Sequence, residues 1–349
     1  MCIMSTRLAG DPSGMMAAAL GLPDHLGIGA AAAQGVGRFA RGVHEVLVCG
    51  MGGSALPGDF LELFAAQHHV RVTVSRDYAP SDAHLGPHVL AICSSYSGET
   101  EETLSAFDVV RAAGCRVVTV SAGGQLAARS AECGVAHVRL ERPSPTFQPR
   151  AATGYFYGAF VTLLEDAGLL DGASAALTAL AGGLRSLPVL DAEAQDLARA
   201  LAGRIPLIYA TAPFVQTAAR VAKIKLNENA KIPAFFNALP ELNHNELVGF
   251  TQPIGPFSAV LLRDPDLTPH MVRRFEATVE TLRDVGVPAH VIPMVDGTAD
   301  LKLFAALRFF DAVSIYLAIN AGLDPTPVTL IEAFKRRLAA QPLGPALKP

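Results

Sequence analysis

The chain has 349 residues, 50% of them apolar and 17% charged, with a mean hydropathy of +0.33. That composition excludes intrinsic disorder, and the length favours two domains over one small core. A formal net charge of -4 without a basic stripe argues against duplex DNA or an anionic membrane as the main partner.

Residues 1–40 read as a helical segment, and their opening, MCIMSTRLAGDPSG, lacks the continuous apolar stretch of a signal peptide. No run of about 18 apolar residues stands out as a membrane span. A soluble, cytoplasmic protein is expected. The five cysteines, Cys2, Cys49, Cys93, Cys115 and Cys133, form an odd set with no CxxC pair. Neither a disulfide framework nor a zinc site is expected from them. Cys49, Cys93 and Cys115 lie in apolar runs and read as buried free thiols.

Short apolar runs at Val46–Cys49, Val70–Val74, Val89–Cys93 and Val117–Val120 each precede a turn and a stretch of helical period. This alternation predicts an α/β fold with parallel strands. Ala136–Leu140 closes a first unit, residues 41–152. Residues 153–201 read as a helical connection, with apolar helical spacing in Tyr155–Leu164 and Ala192–Leu201. A second unit, residues 202–349, carries strands at Pro206–Thr211, Ala234–Asn237, Ser258–Leu262 and Ala289–Pro293. Its helices are predicted at Pro269–Val285, Lys302–Asn320 and Val328–Ala339, and its tail, Pro342–Pro349, reads as frayed. The second unit echoes the first in element order. Only the first has hydroxyl- and glycine-rich turns after its strands, so one anion site per chain is expected.

The first such turn, Gly50-Met51-Gly52-Gly53-Ser54-Ala55, joins a strand to a helix whose free N–H groups can face an anion. Gly50, Gly52 and Ala55 also fit the dinucleotide fingerprint G-x-G-x-x-A, and Asp77 stands where a ribose-binding acid would. The second turn, Ser94 to Thr103, sets several hydroxyls and Gly98 at another strand-to-helix junction. Helix capping by Ser97 or Thr100 explains one hydroxyl but not the set. A single phosphate suits this turn better than a dinucleotide, because its acids repel further phosphates.

Residues 223–249 hold two polar clusters, Asn227-Glu228-Asn229 and Asn243-His244-Asn245-Glu246, flanking an apolar run. Such groups are costly if buried unpaired and point to a site or an interface. A tuned carboxylate can abstract a proton beside a carbonyl, and a His or Lys can manage ring-oxygen protons. Spacing alone leaves Glu228 open as a solvated partner of Lys225 or Lys231. It equally leaves His244 as a surface histidine, Arg150 as a surface arginine and Lys335 as part of a basic helix end.

GMGGSA, SYSGET, QPRAATG at Gln148–Gly154, NENAK at Asn227–Lys231 and LPELNHNELVG at Leu239–Gly249 occur in this order. DPTPV and a lysine-bearing helix follow, at Asp324–Lys335. Together these stretches resemble the bifunctional phosphoglucose/phosphomannose isomerases of the sugar-isomerase (SIS) superfamily, over nearly the whole chain. The resemblance implies two SIS-type doubly wound domains and a metal-free aldose–ketose isomerase that needs no cofactor. Fructose 6-phosphate would exchange with glucose 6-phosphate and mannose 6-phosphate through a cis-enediol(ate). Gly52, Gly53 and Ser54 would line the sugar site, and Ser95, Ser97 and Thr100 would hold the phosphate. Glu228 would be the base and Arg150 the cation that stabilises the intermediate. His244 and Lys335 would assist ring opening, with His244 supplied by the neighbouring subunit of a homodimer. Where many members read SGNT this chain has SGET, so Glu99 should weaken phosphate binding unless it points away. Thr326 and Thr329 are both available for the threonine associated with tolerance of the mannose configuration.

Two other functions compete with the isomerase. A non-catalytic phosphosugar sensor would use the same turns, but Glu228 and His244 argue for catalysis. A nucleotide-dependent oxidoreductase would use Gly50–Ala55 and Asp77, and leaves Ser94–Thr103 unexplained.

Overall fold

The computed structural model describes residues 8–188 and 190–341. Residues 1–7, with Cys2, and the tail Pro342–Pro349 lie outside the described residues. Two short helices, α1 (Met15–Leu20) and α2 (Leu22–Ala33), open the described chain. A first sheet then follows, built from β1 (Glu45–Gly50), α3 (Gly52–Ala66), β2 (Arg71–Ser75), β3 (Val89–Ser94), α4 (Glu101–Ala112), β4 (Arg116–Ser121), α5 (Gly124–Glu132) and β5 (Ala136–Arg139). All residues of β1 and β3 are buried. Their unbroken apolar runs therefore form central strands covered on both faces, as parallel sheets require.

The strand order is β2-β1-β3-β4-β5, all parallel. The chain leaves β1 in one direction and β3 lies on its other side, so a crevice opens between the carboxyl ends of these two strands. Gly50 is in register with Ser94, which brings both glycine- and hydroxyl-rich turns to that crevice.

Three helices come next: α6 (Thr153–Asp166), α7 (Ala173–Ser186) and α8 (Asp191–Leu201). They do more than connect. Helix α6 packs along α2 and α3, and two glycines let the α2 and α6 backbones meet. A Cβ on Gly29 would lie 1.9 Å from the Tyr155 carbonyl oxygen, and one on Gly158 2.0 Å from that of Leu26.

The second sheet is built from β6 (Ile205–Thr211), α9 (Arg220–Glu228), β7 (Phe235–Leu239), β8 (Phe257–Arg263), α10 (Pro269–Asp284) and β9 (Ala289–Pro293). Its order, β7-β6-β8-β9, repeats the first sheet without a fifth strand, so the echo in the sequence is a repeat of topology. Helices α11 (Ala299–Asn320) and α12 (Thr329–Ala339) end the described chain.

One apolar cluster runs without a break from the inner face of the first sheet through α2, α3, α6, α9 and α11 to the second sheet. The outer faces carry separate, smaller clusters under α4 and α10. Helix α11 is long and apolar enough to cross a membrane. Here it is the shared core helix, and three of its buried polar side chains have partners inside the protein. Lys302 Nζ donates to Asp264 Oδ1 at 2.7 Å, Asp311 accepts from Lys225 Nζ at 2.8 Å, and Ser314 Oγ accepts from Asn229 Nδ2 at 2.9 Å.

Cys49 and Cys93 are buried neighbours on β1 and β3. A hydrogen bond with Cys49 that favours the protonated form, together with burial, pushes the Cys93 thiol up, which suits an inert core thiol. Cys115 differs from the expectation: at the start of β4 it is only half-buried, and its Sγ accepts from the Gly86 N–H.

Candidate active site

At the crevice, the two turns are tied to one another before any ligand is considered. Ser94 Oγ donates to the Ser54 carbonyl at 2.9 Å, and the Tyr96 N–H donates to Ser54 Oγ at 3.0 Å. Ser95 Oγ and Thr100 Oγ1 are 2.8 Å apart. Thr100 stands at the N-cap of α4 but makes no side-chain capping bond, so capping does not account for its hydroxyl. The first-turn N–H groups of α3 and α4 lie at the same crevice, and helix N-termini favour an anion there.

Two glycines are required by close approach. A Cβ on Gly53 would lie 2.9 Å from the Arg150 Cα, so only glycine lets α3 start against the 149–151 turn. Gly98 has φ +73°, and its Cβ would lie 1.9 Å from the Gly123 carbonyl oxygen.

Glu99 points away from the crevice. Its carboxylate accepts from the Gln125 N–H at 3.0 Å and from Gln125 Nε2 at 2.8 Å, at the first turn of α5. This acid thus caps the neighbouring helix. Asp77 is also engaged locally, accepting from the Tyr78 N–H at 2.7 Å.

Arg150 is the centre of the second cluster. It is 1% exposed, and its guanidinium meets five acceptors. Nε donates to Asn229 Oδ1 at 2.6 Å, Nη1 to Gln148 Oε1 at 3.2 Å and to Glu228 Oε2 at 3.5 Å, and Nη2 to the Pro325 and Thr326 carbonyls at 2.8 Å each. Five N–H groups in a rigid fork leave no free donor. The arginine is buried under the cleft, and its hydrogen bonds go to the protein.

Beneath it, Lys225 Nζ donates to the Arg150 carbonyl at 2.7 Å and pairs with Asp311. Burial pushes the Asp311 carboxyl up, against the pull of Lys225 and Arg150. Asn229 links the layers, accepting from Arg150 and donating to Ser314 on α11. Glu228 ends α9, and its side chain is 24% exposed. It is the member of this cluster that is both ionisable and open to the cleft while resting on Arg150.

Among the expected residues, Gly52, Gly53, Ser54, Ser95, Ser97 and Thr100 gather at the crevice, and Arg150 and Glu228 meet between the elements of the two sheets. His244 and Lys335 are not brought to them within one chain. His244 is exposed at the end of the 3₁₀ turn Glu241–His244. Its neighbours brace the loop: Asn243 Nδ2 donates to Thr278 Oγ1 at 2.9 Å, and Glu246 accepts from Tyr209 and Asn237. Lys335 is exposed on α12, a helix with no buried residue. Of the two threonines, Thr326 is buried against Arg150, while Thr329 is exposed at the start of α12.

Sequence reasoning passed over Gln148, Asn229, Lys231 and Asp311 as parts of the site. One signal was available for Asp311, a lone carboxylate within the apolar run of α11. Asn229 and Lys231 lay inside the NENAK stretch but were not separated from their neighbours.

The family described as the bacterial phospho-glucose isomerase C-terminal SIS domain matches residues 190–338. A bifunctional phosphoglucose/phosphomannose isomerase of Caldicellulosiruptor bescii is 32% identical over 312 residues, 86% of this chain and 91% of that protein. The enzyme of the same description from Aquifex aeolicus is 32% identical over 305 residues, 84% of this chain and 90% of that protein. Among solved structures, a hypothetical protein of Thermus thermophilus superposes with a TM-score of 0.72 at 17% identity, covering 95% of this chain and 92% of that one. The C-terminal domain of glucosamine-fructose-6-phosphate aminotransferase from Francisella tularensis gives 0.68 at 16% identity, covering 91% and 99%.

Proposed function

The chain belongs to the bifunctional phosphoglucose/phosphomannose isomerase family, and from that premise we propose how its residues interconvert fructose 6-phosphate with glucose 6-phosphate and mannose 6-phosphate. The phosphate sits on the Ser95–Thr100 turn and the α3 and α4 N-termini, with the sugar against Gly52, Gly53 and Ser54. Glu228 abstracts the proton from C1 of the ketose or C2 of the aldose and returns it to the other carbon. The cis-enediolate between these steps is planar at C2. Protonation from one face gives glucose 6-phosphate and from the other mannose 6-phosphate, so for the single base Glu228 to form both, the enediolate must turn about its C2–C3 bond and present either face. Thr326, beside Arg150, is the better placed of the two threonines to bear on that choice.

The observation that carries this reading is the Glu228–Arg150 pair, 3.5 Å apart at the junction of the domains. Arg150 stabilises the anionic intermediate through its charge. Because the protein already holds all its donors, that charge is fixed in place before reaction and costs little reorganisation. The role differs from direct contact with the enediolate, for which the buried guanidinium has no free N–H.

A homodimer with shared active sites is part of the proposal. His244 and Lys335 face solvent within one chain, close in sequence to apolar side chains that are exposed among the described residues: Val248, Ile254, Leu330 and Phe334. Burying such groups against a second copy is favourable, and would bring ring-opening groups to the partner's crevice. Free thiols at Cys49, Cys93, Cys115 and Cys133 accord with a reducing, cytoplasmic setting.

The test is complementation. Glu228→Gln and His244→Ala proteins are each expected to be nearly inactive on fructose 6-phosphate. Mixed under conditions that exchange subunits, they should regain activity, because one of the two sites in each mixed dimer is intact. Activity that stays absent after demonstrated exchange contradicts the shared site.

A further inference from the structure

Lys231 lies three residues beyond the end of α9, with φ +61°. A non-glycine residue rarely adopts this left-handed backbone, and such strain persists where the surroundings impose it. Here the turn folds the lysine back over the helix end. Its Nζ donates to the Glu228 carbonyl at 2.5 Å and to the Pro325 carbonyl at 2.8 Å. Pro325 O is also an acceptor for Arg150 Nη2. Lysine and arginine thus share one anchor, on a segment 94 residues away from Lys231 in sequence.

We propose that Lys231 is a positioning residue for the base: its ammonium clamps the Glu228 backbone to the same Pro325 carbonyl that holds Arg150, fixing the carboxylate in register with the arginine. The proposal rests on Glu228 being the base of the reaction above. An ordinary C-terminal helix cap would need only the carbonyls of its own helix. The bond to Pro325 joins the helix to the 324–326 segment of the second domain, and through Arg150 to the 149–151 turn of the first.

The charges facing the ammonium come from three elements: Glu228 on α9, Arg150 on the 149–151 turn and Asp324 after α11. Burial and the Arg150 charge lower the Lys231 pKa to about 8, against the pull of Asp324 and Glu228. The clamp therefore carries a full charge below that pH and loses it above. A neutral amine keeps two N–H donors, so its bonds weaken without disappearing.

The experiment compares Lys231→Met and Lys231→Arg with the wild type in steady-state kinetics across pH, using fructose 6-phosphate, with thermal melts as folding controls. Lys231→Met is expected to lower kcat by about 10²-fold, the effect of a small displacement at a reacting centre, with KM little changed. Lys231→Arg should recover much of that loss. The wild-type kcat should fall above pH about 8 to a lower plateau, and this step should vanish in Lys231→Arg, whose guanidinium does not titrate there. Wild-type kcat in folded Lys231→Met, or an unchanged alkaline step in Lys231→Arg, overturns the proposal. The titration of Lys231 is also to be followed by the NMR signal of its Cε in wild-type protein, whatever its activity. A midpoint near the ordinary lysine value of about 10.4 would contradict the alkaline step, and a Cε signal as mobile as that of a free surface lysine would overturn the clamp even if the Met variant does not fold. A depressed midpoint in a protein inactive on fructose 6-phosphate would retain the clamp and count against the substrate reading alone.

Discussion

Glu228→Gln should lower kcat for fructose 6-phosphate by about 10²–10⁴-fold, the usual contribution of a positioned general base. The replacement keeps the shape of the side chain and removes its charge and its capacity to take a proton. Glu228 gives up one contact, the 3.5 Å approach to Arg150 Nη1, and the guanidinium retains four other acceptors. The fold should therefore survive, with a melting temperature close to wild type. KM should change less than kcat, because the proposed phosphate site at the β1–β3 crevice does not include Glu228. Steady-state kinetics with a parallel thermal melt checks this, and near-normal turnover in the variant contradicts the assignment of the base.

Arg150→Leu should act on stability as well as rate. The leucine leaves Asn229 Oδ1, Gln148 Oε1 and the Thr326 carbonyl without the arginine donor, leaves the Pro325 carbonyl to Lys231 Nζ alone, and leaves Glu228 facing no cation from the 149–151 turn. Removing one partner from a buried charged network costs about 3–5 kcal/mol, because the groups left behind stay desolvated. Arg150→Lys should rescue only part of this, since an ammonium keeps the charge but not the five-donor fork. Urea denaturation reads the stability loss, and kcat of the folded fraction reads the loss of the fixed positive charge. A leucine variant as stable as wild type would show that the network contributes nothing to holding the 149–151 turn against α9 and the 324–326 segment.

The sheets were legible in the sequence because parallel strands buried on both faces have to be written as apolar runs. Val46–Cys49 and Val89–Cys93 are such runs, and the strands extend them by one or two residues at Glu45, Gly50 and Ser94. Helix packing was not legible. Residues 153–201 look like a connection until Gly29 and Gly158 are seen to admit α6 against α2, a pairing across more than a hundred residues. The candidate site was half legible for a similar reason. Its crevice side is local, since each turn follows its own strand and register alone brings Gly50 beside Ser94. The junction side is assembled from distant pieces. Arg150 binds partners 79, 78 and 176 residues away, and spacing carries no trace of that. The resemblance of motifs named Arg150 and Glu228, but it could not show that the arginine is saturated by the protein. The direction of Glu99 was equally out of reach, being set by Gln125, 26 residues on. Lys231 was hidden for another reason: its role depends on a backbone angle that no residue pattern announces.

The most direct measurement is product formation from fructose 6-phosphate by the wild-type protein in excess EDTA, with glucose 6-phosphate and mannose 6-phosphate assayed separately. A carboxylate base working beside a fixed arginine predicts that both products form, at a rate indifferent to the chelator. If a folded sample that fructose 6-phosphate protects against thermal unfolding forms neither product, the account of Glu228 as the isomerising base is contradicted.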